Sequence, residues 1–111
     1  MLIYKLFRAD EWADLMAQGQ TPGAPIDVTD GYVHFSTAAQ VAETAARYFG
    51  GVEGLVLLAL QSDRLAPDLR WEPARDGALF PHLYRVLRMT DVLWSHQVAL
   101  LDRVHQFPPL G

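Results

Sequence analysis

The chain has 111 residues, half of them hydrophobic and a fifth charged, with a formal net charge of −4 and an isoelectric point near 5.4. That length suits one domain around one core, and the absence of cysteine excludes disulfides, thiolate metal sites and Cys nucleophiles while fitting a reducing compartment. Lys and Arg are scattered singly, so the basic face that a long DNA or RNA requires is missing.

The elements are expected as follows. Leu2 to Phe7 reads as a first strand. Ala9 to Gln18 reads as a helix with Asp10 and Glu11 near its positive end, a buried stripe of Trp12, Leu15 and Met16, and Gly19 as its stop. Gln20 to Thr29, punctuated by Pro22, Gly23 and Pro25, reads as a loop. Asp30-Gly31 signals a turn, and Tyr32 to Ser36 then alternates as a strand. Thr37-Ala38-Ala39-Gln40 matches a capping box, so a second helix is expected over residues 37–49, with Val41, Ala45 and Tyr48 facing inward. Leu55 to Leu60 is apolar on both faces, as a central strand would be. Leu69 to Glu72 reads as a short strand with Arg70 and Glu72 on one face and Trp71 on the other. Arg75 to Ala78 is a turn, and Phe80 to Leu87 puts His82 and Tyr84 on one face. Met89 to Leu101 favours a strand through its β-branched and aromatic content, and the Phe107–Gly111 tail is expected to be frayed, or pinned by Phe107 alone. The longest apolar run is too short to span a bilayer, and Met1 to Lys5 lacks the pattern of a signal peptide, so no membrane is expected as a partner and the cytoplasm is the expected location.

The chemistry concentrates around residues 27–40. Alternation puts Val33 and Phe35 on one face of the strand and Tyr32, His34 and Ser36 on the other. The second face offers a phenol, an imidazole and a hydroxyl, and it runs into a helix start at Thr37 whose free N–H groups suit an anion. Asp27 and Asp30 precede it; they cap turns or hydrogen-bond a ribose or a cation. Arg70, Glu72, His82 and Tyr84 supply further groups. Glu72 beside Trp71 can act as an acid or base if burial raises its pKa. HExxH, GxSxG, GxxxxGK[ST] and GxGxxG are all absent, and no metal is assigned. If the strands neighbour one another these groups share one cleft, which suits a small polar or phosphorylated ligand.

Three motifs carry a resemblance. Ile26-Asp27…Asp30-Gly31-Tyr32-Val33-His34-Phe35-Ser36-Thr37…Gln40, then Trp71-Glu72, then Phe80-Pro81-His82-Leu83-Tyr84 resemble the bacterial and plant family called domain of unknown function 952, over nearly the whole chain as a single domain, residues 1–111. More distantly the pattern is similar to the ADP-ribosyltransferase superfamily, and in particular to RNA 2′-phosphotransferases and rifamycin ADP-ribosyltransferases. That likeness implies an α+β fold with a small split or mixed sheet and two main helices. It also implies NAD or an ADP-ribose-type nucleotide as ligand. His34 would stand at the second signature position, with Ser36 and Thr37 lining the same pocket. Within this reading His34, Glu72 and His82 are the catalytic candidates, and Asp27, Asp30, Tyr32, Ser36, Thr37, Arg70 and Tyr84 the ligand-binding ones. The first strand carries no Arg or His at the first signature position, which keeps a non-catalytic nucleotide-binding module open as the alternative.

Overall fold

Nine strands and three α-helices follow one another along the computed structural model, which describes all 111 residues. They are β1 (Leu2–Phe7), α1 (Ala9–Gln18), β2 (Gln20–Thr21), α2 (Pro25–Asp30), β3 (Val33–His34), α3 (Val41–Tyr48), β4 (Leu55–Gln61), β5 (Leu69–Pro73), β6 (Leu79–Leu83), β7 (Leu87–Arg88), β8 (Val92–Leu101) and β9 (Val104–Gln106). The domain is α+β. One antiparallel sheet runs β1-β4-β8-β9, a second runs β3-β6-β5, and β2 pairs with β7. No helix is long and apolar enough to cross a membrane.

β4 is apolar on both faces because it divides two cores. Val56, Leu58 and Leu60 point into one, with Ile3, Phe7, Leu15, Val33 and Leu83. Leu55, Leu57 and Ala59 point into the other, with Tyr4, Leu6, Val41 and Ala45. The period-2 geometry of a strand thus lets one run of leucines hold α1 and the second sheet on one side and α3 on the other.

The expected strand over Tyr32–Ser36 keeps its alternation and pairs along both edges, with β6 on one and β1 on the other. Val33 and His34 pair with Leu83 and His82 of β6. Phe35 N–H then donates to Pro81 O at 3.0 Å, and there the ladder stops, because Pro81 has no N–H to return the bond. On the opposite edge of the segment, Ser36 exchanges two backbone hydrogen bonds with Tyr4 of β1, at 2.8 and 2.9 Å. One short segment therefore ties the two sheets together.

Several expectations are corrected. Residues 20–29 are not a plain loop: Pro25, preset for the first helical position, opens α2, with Gly31 in the left-handed region at its end (φ 86°). The second helix begins at Val41 rather than Thr37. Only the Gln40 half of the capping box forms, its side chain accepting the Thr37 N–H at 3.0 Å. Thr37 O meanwhile accepts both Gln40 N–H and Val41 N–H, making a turn ahead of the helix. Of the inward stripes, Leu15, Val41 and Ala45 are buried, but Met16 and Tyr48 are 52% and 62% exposed, and Tyr48 borders the cleft instead of the core. The tail is not frayed. Phe107 and Leu110 pack on the second core, and Gly111 N and O both lie 3.2 Å from the Tyr4 hydroxyl.

Leu58 is fully buried at the centre of the larger core. Leu58→Ala is expected to cost about 2–5 kcal/mol in urea denaturation; a loss below about 1 kcal/mol would show that β4 does not carry the core as described.

Candidate functional site

The site is anchored by Asp27, which sits in the first turn of α2 and is 1% exposed. Its carboxylate accepts four hydrogen bonds. Ala24 N–H and Lys5 Nζ donate to Oδ2 at 2.7 and 2.8 Å, and His34 N–H and Nδ1 donate to Oδ1 at 3.0 and 2.5 Å. Gly23 makes this possible. It has φ +107°, and a Cβ there would overlap the Asp27 side chain. Burial alone would push the Asp27 pKa up, but the His34 bond and the Lys5 charge outweigh it and hold the carboxyl at about 2. Burial pulls the Lys5 ammonium below its usual range against the opposing pull of Asp27.

His34 is held from both sides, since its Nε2 lies 2.9 Å from Asp30 Oδ2 at the end of α2. Directly across the β3–β6 pairing stands His82, with ring centres 5.4 Å apart and ring planes at 70°. His82 Nδ1 meets Glu72 Oε1 of β5 at 2.8 Å, and the Tyr84 hydroxyl donates to the same oxygen at 2.6 Å. Those two bonds, Tyr84 first, hold Glu72 below the usual carboxylate range, and in turn the Glu72 acceptor raises Tyr84. Tyr32 stacks on His82 (4.1 Å, 27°) and also packs near His34 and Tyr84. Burial, then the surrounding carboxylates, raise its phenol.

These groups border a cleft of about 700 Å³. Tyr32, His34, His82 and Asp30 line it, and so do Arg8, Tyr48, Phe49, Arg75 and Phe80, with Ser36 and Thr44 between them. The Ser36 hydroxyl is 3.1 Å from that of Thr44, and Arg75 donates to Thr44 Oγ1 at 3.2 Å. The Arg75 guanidinium lies over Phe80 and Tyr48 at 4.9 and 5.7 Å, and Arg8 lies over Phe49 at 4.8 Å. Arg75 pairs with no carboxylate, and the nearest to Arg8 is Glu11 at 4.0 Å.

Of the residues singled out in the sequence, the fold brings Asp30, Tyr32, His34, Ser36 and His82 to the cleft. Glu72 and Tyr84 stand behind His82, and Arg70 covers the Tyr84 ring at 4.6 Å. Asp27 lies beneath His34 and is sealed from the cleft. Thr37 does not line it, and its N–H, expected to face an anion, is taken by Gln40. His34, Glu72 and His82 do not form a metal-ligating cluster. Lys5, Arg8, Thr44, Tyr48, Phe49, Arg75 and Phe80 were not among the candidate site residues. Only Lys5 left a signal, as a lone cation in the otherwise apolar strand Leu2-Ile3-Tyr4-Lys5-Leu6-Phe7, where a buried charge demands an acid.

Residues 6–95 match the family described as "Protein of unknown function (DUF952)". The chain belongs to the DUF952 family. It is similar to protein CC0527 from Caulobacter crescentus. Against the crystal structure of CC0527 the identity is 44%, with a TM-score of 0.92 over 96% of this chain and 94% of that one. Against its solution structure the identity is 42%, with a TM-score of 0.84 over 94% and 90%. No curated protein matches the chain. What this DUF952 chain adds to the fold is therefore read from its own cleft.

Removing the anchor tests the arrangement. Asp27→Asn strands the buried Lys5 ammonium and is expected to cost about 3–5 kcal/mol, with Lys5→Met/Asp27→Asn costing less than the sum of the single changes. Because the folded pKa of Asp27 is depressed from 3.8 to about 2, the unfolded chain binds more protons in that window. The contribution, on the order of 2 kcal/mol, is present above pH 4 and disappears as the pH falls through 2. Acid denaturation curves should show this limb in the wild type and lack it in Asp27→Asn; equal curves would mean the carboxylate is not engaged.

Proposed function

We propose that the cleft binds a small phosphorylated nucleotide of the ADP-ribose or NAD type, on an ADP-ribosyltransferase-like domain working in the cytoplasm, and that His34 and His82 act on it, with Glu72 acting through His82. The observation that carries this reading is Arg75. It is a guanidinium without a carboxylate partner, held by Thr44 among the rings of Tyr48 and Phe80, and it shares one cavity with two carboxylate-oriented imidazoles. A free guanidinium is a phosphate binder by geometry and charge. The neighbouring rings offer planes for a base to stack on, and Asp30 offers a ribose hydroxyl an acceptor. The cavity falls within the range of about 300–1,000 Å³ typical of small-molecule sites. The resemblance of the 32–37 segment to the superfamily's second signature supports the same ligand class.

One observation favours the non-catalytic alternative. Where the superfamily likeness calls for an Arg or His on the first strand, β1 carries Lys5, and Asp27 holds it away from any ligand. That reading expects saturable nucleotide binding and no product.

A thermal-shift screen with NAD, NADP, ADP-ribose and AMP distinguishes binding from its absence. ADP-ribose at 100 times its Kd should add about 2.7 kcal/mol to stability and raise the melting temperature accordingly. Arg75→Gln should weaken the affinity roughly 10–100-fold at little cost to the unliganded fold. A flat response to every nucleotide at millimolar concentration would sink the proposal.

A further inference from the structure

The two imidazoles differ in what their outer nitrogens face. In each ring Nδ1 points at a carboxylate, Asp27 for His34 and Glu72 for His82. An ionised carboxylate accepts and cannot donate, so both rings carry a proton on Nδ1 and work through Nε2. His82 Nε2 has no protein partner, yet it is not sealed from solvent, since no buried side-chain nitrogen or oxygen lacks a partner, and His82 borders the cleft. It presents a lone pair. His34 Nε2 lies 2.9 Å from a second carboxylate, Asp30 Oδ2, a contact that is attractive only with a proton on Nε2, so the protonated ring presents a donor there. An acceptor and a donor therefore stand on directly opposed strand positions, 5.4 Å apart between ring centres, in a cleft that also holds the Arg75 guanidinium, which pairs with no carboxylate.

We propose that His82 and His34 are the base and acid of a centre that cleaves small phosphodiesters, a reaction class that deepens the phosphate-binding reading of the cleft and rests on it. In the step, a water or ribose hydroxyl oxygen bonds to phosphorus as its proton passes to His82 Nε2. The bond from phosphorus to the leaving oxygen breaks with its electron pair on that oxygen, and the oxygen takes the proton of His34 Nε2. Solvent then restores both rings. Arg75 and Arg8 offset the charge that develops on the phosphoryl oxygens. Asp27 and Glu72 are positioning residues that fix each ring's tautomer, and Asp30 holds the transferable proton until the leaving oxygen replaces it.

The chemistry discriminates among reactions. Displacement at a phosphodiester by a hydroxyl needs one proton removed and another supplied, which is what this pair offers. A positively charged pyridinium leaving group departs neutral and leaves the donor without work. Acyl transfer to the enzyme needs a free nucleophile, and the Ser36 hydroxyl is bonded to Thr44. The titratable and charged groups around the two rings are Asp27 and Asp30 from α2, Lys5 of β1 behind Asp27, Glu72 and Arg70 of β5, and the phenols of Tyr32 and Tyr84.

The test incubates the full chain with adenosine 2′,3′-cyclic phosphate in the presence of a chelator and follows ring opening to the monophosphate by phosphorus NMR across pH 5–9. Turnover with a bell-shaped profile is expected. His82→Asn should slow it by roughly 10²–10⁴-fold and remove the acid limb, and His34→Asn should do the same to the alkaline limb. Circular dichroism checks that each variant is folded. Should His82→Asn unfold, Glu72→Gln supplies the readout: with the carboxylate gone, the acid limb moves to lower pH. No hydrolysis above the buffer blank, or a rate unchanged in the double histidine variant, overturns the proposal. Calorimetric titration with ADP-ribose separates the two readings. Binding without hydrolysis removes the acid–base pair and leaves the nucleotide cleft, hydrolysis without ADP-ribose binding does the reverse, and neither removes both.

Discussion

A carboxylate taken out of water is among the most expensive things a fold can bury, and the arrangement of this domain turns on how Asp27 is compensated. Left alone it would protonate or drag water inward. Here it joins three elements in one set of hydrogen bonds: its own helix through Ala24, β1 through Lys5 and β3 through His34. The ammonium and the carboxylate are each tolerable only because the other is present. Gly23 must leave room for the carboxylate to fold back, so the backbone of the preceding loop is constrained by the same charge. The imidazole of His34 is the fourth participant and the one that reaches the cleft.

Electrostatics at the cleft therefore run against the chain's overall balance. The protein is net acidic, yet the acids nearest the cleft are spent on orienting imidazoles, while Arg75 pairs with no carboxylate and Arg8 meets only Glu11, at 4.0 Å. Local charge is set by which residues are already paired rather than by composition. The aromatic rings do two things here. Tyr32 and Tyr84 lock the His82 ring and its Glu72 partner in place, and Tyr48, Phe49 and Phe80 hold the guanidinium groups against flat apolar faces.

Much of this was legible in the residues. The double-sided apolar run of β4, the helix stopped by Gly19, the alternation of Arg70, Trp71 and Glu72, and the shared face of Tyr32 and His34 all follow from side-chain period and turn chemistry, which are local properties. What escaped depended on distant partners. Asp27 has the sequence setting of a turn cap, and nothing local tells of a lysine 22 positions earlier. Thr37 to Gln40 has the letters of a capping box, but the same letters serve a turn when the helix starts one step later. Arg75 lies in a plain turn signal, and only the approach of α3 gives its guanidinium a hydroxyl and rings to rest on. The tail carried too little pattern to reveal that Tyr4 would hold its end.

Pro81 has a consequence for where the cleft can be. A strand in the middle of a sheet ordinarily donates and accepts on both sides, and two sheets joined by a continuous segment would zip together as far as their hydrogen bonds allowed. Pro81 accepts from Phe35 and has nothing to give back, so the pairing with β6 ends one residue past the histidines, while the other edge of the segment takes up β1 through Ser36. Phe35 and Ser36 of that shared segment line the cleft. The cavity is in this sense a property of the backbone before it is a property of any side chain that faces it. The placing of one segment between β6 and β1 is what brings residues of β1, α3 and β6 into one space beside His34 and His82.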